Sequence, residues 1–335
     1  MKKSLIALAA LAATASFAQS SVTLSGNLDF AAGNAKVDGQ SAETSISTRD
    51  FASTTSVINI IAVEDLGGGM KATAKFGIDP RVMANDGTSP TRDESFVGIE
   101  GGFGNLRLGS PNSIGLTTFG VSTPFGTGVG GGYAPLALDY SFIRHNRSAR
   151  YDSPNFAGFS FAVLHAPGAD AAVNSVTAGA AAAAFIPAAG AVTEVGLSYA
   201  NGPLTVGYAN ISLPKYGTAV KVSQNLLSAN YKLGNTTLYA GWNDGDVLAA
   251  SSRTTTATET KGSRVAIRQD IGAISLMASY AEQKTPTVKE KVTGLRGDYN
   301  LSKTAAVYAA YELYDNGAAT NSDRKITSVG IRKSF

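Results

Sequence analysis

Cysteine is absent from the 335 residues, tryptophan occurs once, and histidine occurs only at His145 and His165. The first absence excludes a disulfide framework and thiolate chemistry. Neither histidine stands at ligand spacing from carboxylates, which argues against a zinc or copper site. There is no G-x-S-x-G, no G-K-[ST] and no H-E-x-x-H. The glycine runs Gly67–Gly69 and Gly130–Gly132 also lack the Lys-Ser/Thr and helix start that make a phosphate cradle. Ser110 and Ser141 have no base at a suggestive spacing, and Asp244 and Asp246 are as well suited to solvating a loop as to holding calcium. The chain reads as a non-enzyme with no cofactor and no metal.

Long apolar runs are missing too. Leu5 to Ala15 is too short for a spanning helix, and no later stretch reaches about 18 residues without polar interruption. The longest bland run, Ala178–Ala184, is seven residues of Ala and Gly. Lys2 and Lys3 before the first stretch and Ser16-Phe17-Ala18 after it predict a signal peptide over 1–18, with Gln19 opening a mature chain of 19–335. Export without a helical anchor leaves a secreted protein, a periplasmic protein or an outer-membrane barrel. Charge of one sign is lacking as well. Without Lys2 and Lys3, 26 basic residues face 25 acidic ones, a balance that argues against nucleic acid as a partner.

Glycine (37), phenylalanine (14) and tyrosine (13) are plentiful, and hydrophobic residues make up 44%. That profile suits a β chain in which half of each strand faces water. Val22, Leu24, Leu28 and Phe30 alternate with Thr23, Ser25, Asn27 and Asp29. Leu227, Ala229, Tyr231 and Leu233 alternate with Ser228, Asn230 and Lys232, and Ile274, Leu276, Ala278 and Tyr280 with Ser275, Met277 and Ser279. Such period-2 runs are strands with one apolar face. Seven short turns, at 66–69, 101–105, 154–158, 201–203, 233–235, 271–273 and 301–303, alternate with eight longer polar stretches. The longer ones lie near 33–48, 80–91, 111–143, 167–191, 212–222, 244–260, 284–290 and 315–323.

This rhythm predicts an all-β, transmembrane antiparallel β-barrel of about 16 strands, with short periplasmic turns and long extracellular loops. The strands are expected at 21–32, 49–64, 70–79, 92–101, 105–110, 144–153, 159–166, 192–200, 204–211, 223–232, 236–243, 261–270, 274–283, 291–300, 304–314 and 325–335. Closure matters because hydrocarbon leaves no partner for an open sheet edge. Tyr199, Tyr231, Tyr299 and Phe335 sit toward strand ends, where amphipathic rings favour the headgroup zone.

The segments around the short turns carry more specific information. Ser21-Val22-Thr23-Leu24-Ser25-Gly26 and Glu64-Asp65-Leu66-Gly67-Gly68-Gly69-Met70-Lys71-Ala72 resemble the opening strand and first periplasmic turn of the β-proteobacterial general diffusion porins, the neisserial and Comamonas-type family. Ser95 to Gly109, Arg150-Tyr151-Asp152-Ser153-Pro154, Tyr299-Asn300-Leu301-Ser302-Lys303 and the terminal Phe335 are similar in the same way. The resemblance implies a homotrimer of water-filled barrels in the outer membrane, in contact with lipid and lipopolysaccharide. It also implies Phe335 as an assembly signal read by the barrel-assembly machinery, and a third loop, 111–143, folded into the lumen as a constriction. Small hydrophilic solutes and ions would be the cargo.

Selectivity then falls to lumenal side chains. Parity points Lys75, Arg107, Arg150, Arg264, Arg268 and Arg296 inward. Arg144 and Arg150 share one parity after the loop, with solvent exposure or neutralisation of Asp139 and Asp152 as the alternative. Asp79, Asp93 and Glu194 are candidates for opposing carboxylates. The family's arginines at Ser56-Val57, Asp93 and Gly109-Ser110 are missing, and no charge occurs between Arg107 and Asp139. A mild anion preference centred on Arg150 is expected. Rival readings are a solute-specific channel with a saturable site lined by Phe119, Phe125 and Tyr133, and a loop-presenting adhesin or structural barrel.

Overall fold

A computed structural model describes residues 20–48, 51–80, 91–131, 144–167, 191–213, 221–248, 257–317 and 323–335. The strands are β1 (Ser21–Val37), β2 (Glu43–Ser47), β3 (Val57–Gly67), β4 (Met70–Asp79), β5 (Thr91–Gly101), β6 (Gly104–Ser110), β7 (Ser148–Asp152), β8 (Phe159–Ala166) and β9 (Val192–Asn201). They continue as β10 (Leu204–Leu213), β11 (Val222–Leu233), β12 (Thr236–Leu248), β13 (Ala257–Ile271), β14 (Ile274–Lys284), β15 (Lys289–Asn300), β16 (Ala305–Asp315) and β17 (Arg324–Ser334). Among the described residues one helix, α1 (Ile114–Val121), interrupts the series.

Each strand pairs antiparallel with its neighbour, and β17 returns to β1, Asn27 opposite Ser334 through Val37 opposite Arg324. β2 and β3 both pair with β1, one above the other, so together they occupy one position. The result is a closed barrel of 16 strand positions. The backbone of the last residue takes part in closure: Gly26 N–H donates to Phe335 O (2.8 Å) and Phe335 N–H to Gly26 O (3.0 Å). The seven predicted turns join consecutive strands at the rim that carries Ser21 and Phe335; at the other rim the expected loop 284–290 is corrected to a tight turn, in which the Thr285 N–H donates to Val288 O (2.8 Å).

The second predicted strand, 49–64, is corrected. Between β2 and β3 the chain leaves the wall and turns inward, because Asp29 offers a buried carboxylate that accepts from Ser53 Oγ (2.6 Å) and the Thr54 amide (3.0 Å). Several strands also run further toward the long loops than their apolar alternation does; β12 and β13 stay paired to Leu248 and Ala257 inside the expected loop 244–260. Pairing continues into water after the need for an apolar face has ended.

The outer surface is the greasy one. Leu197, Leu227, Trp242, Val265, Leu276 and Leu295 are exposed there, while Ser198, Ser228, Arg264, Ser275 and Arg296 alternate onto the lumenal face. This is the inversion a lipid-embedded barrel requires. Phe159 and Tyr199 stack at 4.5 Å on the short-turn rim, and Tyr231, Tyr299 and Phe335 are exposed along it, as expected of an interfacial girdle.

Candidate functional site

The described part of the third loop, 111–131, lies against the inside of the wall. Its first element, α1, starts at Ser113, whose side chain accepts from the Leu116 amide (2.9 Å) as an N-cap. Glu194 completes that end: one carboxylate oxygen accepts from Ile114 N–H (2.6 Å) and Gly115 N–H (3.0 Å), and the other lies 2.5 Å from His145 Nε2. A negative charge at a helix N-terminus is favourable both for the dipole and for the unpaired amides. Glu194 is wholly buried, so its expected place as a carboxylate facing the open lumen is corrected.

From α1 the loop runs along β8 to β16. Asn230 Nδ2 donates to Val121 O (3.0 Å). Ser279 Oγ donates to Gly130 O (2.5 Å), Glu312 accepts from the Gly130 amide (2.8 Å), and the Val129 amide donates to Ala52 O (3.1 Å). Contact this close needs glycine on the wall: a Cβ on Gly294 would stand 2.0 Å from Gly130 O, and one on Gly196 2.5 Å from Ile114 Cγ2. The loop carries no charge of its own, and wall charges hold it: Arg296 Nη2 donates to Pro124 O (3.5 Å), and its Nη1 to Ser53 O (3.0 Å) of the inward turn beneath.

Phe119 and Phe125 are buried, with the guanidinium of Arg264 4.2 Å from the Phe119 ring centre and that of Arg296 5.3 Å from Phe125. Their expected use as exposed stacking platforms is corrected: they are pegs beneath the loop. Tyr133 and Asp139 lie outside the described residues.

Opposite the loop, β4 to β7 bring the predicted basic residues together. Lys75 Nζ is 2.8 Å from Glu94, whose second oxygen is 3.3 Å from Arg107. Arg107 also pairs with Asp152, and Asp152 with Arg150 (2.7 Å). Arg107 and Arg150 are direct cross-strand partners, so Glu94 and Asp152 interleave what would be three adjacent cations. The chain of charges is Lys75, Glu94, Arg107, Asp152, Arg150, with one positive charge in excess. Arg144 pairs with Asp93 (2.6 Å), and Asp79 is buried at the end of β4.

Arg150 is corrected in one respect. It points inward, but it does not face open water: it is 7% exposed. Its Nη1 donates to Asn112 O (2.7 Å) and Ser113 O (3.3 Å), tying the loop's first turn to the wall. Sequence reasoning missed Glu94, which joins Lys75 to Arg107 and also accepts from the Asn112 amide (3.1 Å). It also missed the group Asp29, Asp298 and Arg332, in which Arg332 Nη2 lies 3.2 Å from Asp298 and Tyr308 Oη donates to Asp29 (2.5 Å). Inward parity was the available signal for these residues.

Three further observations come from known proteins. A family model described as Gram-negative porin matches residues 5–319. The chain is 29% identical over full length to outer membrane porin protein 32 of Delftia acidovorans, and 29% identical, again over the whole of both chains, to the major outer membrane protein P.IB of Neisseria lactamica. Among solved structures, an anion-selective porin from Comamonas acidovorans superposes with a TM-score of 0.80 at 22% identity, covering 95% of this chain and all of that one.

Proposed function

The chain belongs to the Gram-negative porin family and forms an outer-membrane diffusion channel, and we propose that it is a passive pore with a mild preference for anions, set where loop 111–131 narrows the lumen. One observation carries this reading: at the narrow zone the cations lie nearer the water than most of the carboxylates that pair with them. The Lys75 side chain is 20% exposed against 9% for Glu94, and Arg332 is 23% against 4% for Asp298. Asp152, at 28%, is the exception, and it is shared between Arg107 and Arg150. A permeating ion therefore meets ammonium and guanidinium groups first, with the compensating charge set behind them. The anion selectivity of the Comamonas porin is in keeping with this.

Solutes cross down their own gradients, so the residues that matter set radius and field. Three copies assemble, as the porin-like turn segments imply, after removal of residues 1–18. Planar-bilayer conductance of the purified protein across a salt gradient tests the proposal. The reversal potential should have the sign of mild anion selectivity, and each trimer should close in three successive equal steps. A cation-selective reversal potential would overturn it.

A further inference from the structure

We infer that the inward turn at 51–56 is a second jaw of the constriction, and that Thr55, at its water edge, sets the width and field of the narrow zone. The role rests on the channel reading above and adds a segment to it. Thr55 is exposed, and its Oγ1 lies 2.9 Å from Thr127 Oγ1 of the third loop. Beside this contact the Val129 amide donates to Ala52 O (3.1 Å), and a Cβ on Gly128 would stand 2.1 Å from Ser53 O. The loop therefore rests here on the turn, and the two segments meet in one continuous inner edge.

The turn is built to stay inside the barrel. Phe51, Ala52, Ser53 and Ser56 are buried, and Phe51 and Val129 pack into one apolar cluster with Tyr308, Ala310 and Ile326 of the wall. Gly33 makes room for it: a Cβ there would stand 2.2 Å from the Phe51 ring. The Ser53 amide donates to Tyr308 Oη (3.0 Å), and Ser56 Oγ accepts from the Asp29 amide (2.9 Å). Ser53 Oγ also accepts from Arg332 Nη1 (3.0 Å), so the turn positions one of the cations at the water edge. Of its six residues Thr55 alone is left exposed.

Around the lumen, the narrow zone has a charged side and an uncharged one. β4 to β7 carry Lys75, Glu94, Arg107, Asp152 and Arg150, and the third loop runs along β8 to β16. The turn fills the remaining sector, over β1 and β17, where Asp29 and Arg332 hold it. Its residues, Phe51-Ala52-Ser53-Thr54-Thr55-Ser56, bear no charge. A permeating ion thus passes between the charged wall on one side and a hydroxyl seam on the other. A group added to Thr55 enters that path directly, and the radius and charge of a pore's lining are what fix its selectivity.

The chain has no cysteine, so a Thr55→Cys variant of the whole barrel can be labelled at that position alone and recorded in planar bilayers. The reagents are two methanethiosulfonates of like size, one adding a sulfonate and the other a quaternary ammonium. Both should lower single-channel conductance. The sulfonate should move the reversal potential toward cations, and the ammonium should move it further toward anions. Thr127→Cys, across the seam, should respond in the same sense. Thr237→Cys is the control: it shares the lumenal face with its cross-strand partner Arg268, near the short-turn rim. Its label should leave conductance unchanged and shift the reversal potential far less.

Complete labelling of Thr55→Cys, shown by mass, with unchanged conductance and reversal potential would overturn the proposal. So would a thiol at that position that reacts in the denatured chain but not in the native barrel, because the residue would then stand outside the ion path. A response at Thr127→Cys without one at Thr55→Cys would leave the third loop as the sole jaw, and an equal response at Thr237→Cys would mean that charge anywhere in the lumen suffices; either result defeats the assignment. The parent, which neither reagent can label, reports the channel and its anion preference by itself. A parent that conducts and prefers anions beside a silent Thr55→Cys separates failure here from failure of the pore reading.

Discussion

At the scale of single residues, inward-pointing charges divide into those that meet the permeating ion and those that hold the loop. Lys75 and Arg150 belong to the same chain of ion pairs, but Lys75 ends it on the water side and Arg150 on the loop side. Lys75→Gln should therefore move the reversal potential toward cations with little loss of stability. Arg150→Gln should instead lower the unfolding free energy by about 2 kcal/mol, because it removes the charged donor to Asn112 O and Ser113 O while Asp152 keeps Arg107 as its partner. Open-channel noise should rise with it, since the first turn of the loop comes loose. Denaturant titration and single-channel recording separate the two residues; equal effects on selectivity would refute the division. Glu94→Gln gives the opposite sign to Lys75→Gln: it frees Lys75 and Arg107 from their shared carboxylate and should strengthen anion preference. Parity was enough to aim Lys75, Arg107, Arg150, Arg264 and Arg296 inward. It could not separate the two groups, because a residue facing water and one facing a folded-in loop alternate identically along a strand.

At the scale of elements, the uncharged loop depends on the wall for both space and polar partners. The space comes from glycines. Gly294→Ala would place a methyl group in the position of the Gly130 carbonyl, and the backbone of β15 is fixed by pairing on both sides. The loop is the part that must move, and the only room is the lumen, so Gly294→Ala should lower single-channel conductance and slow the swelling of sugar-loaded liposomes. Unchanged conductance would mean that the loop does not line the narrow zone. The strands themselves were legible because a lipid-facing strand advertises its apolar face every second residue. The inward turn at 51–56 and α1 were not, because neither carries that signal. The inward turn depends on Asp29 and Tyr308, 24 and 255 residues from Ser53, and α1 on Glu194, 80 residues from Ile114 and itself held by His145. A short, uncharged helix stabilised by such remote groups leaves no pattern in its own window.

For the whole molecule, closure and field are separate properties with separate tests. Closure makes every membrane-level backbone group pair within the sheet, so the barrel should resist detergent until heated and migrate faster in unboiled gels than in boiled ones. Deleting Phe335 removes both backbone bonds to Gly26 and should reduce insertion more than it alters the conductance of the barrels that do form. Field depends on something else. The overall charge is nearly balanced, and an ion at the narrow zone senses only charges within about a Debye length, roughly 10 Å at 0.1 M salt and about 3 Å at 1 M. At low salt it senses Lys75 and Arg332 ahead of Glu94 and Asp298, which lie deeper in the wall, while the more exposed Asp152 offsets Arg107 and keeps the preference mild; at high salt each cation is screened before its reach matters. The anion preference should accordingly be clear in a gradient centred near 0.1 M and shrink toward zero near 1 M. A preference that held steady across that range would require a site that strips an anion of water and binds it directly, and the cation-before-carboxylate layering would not be its source.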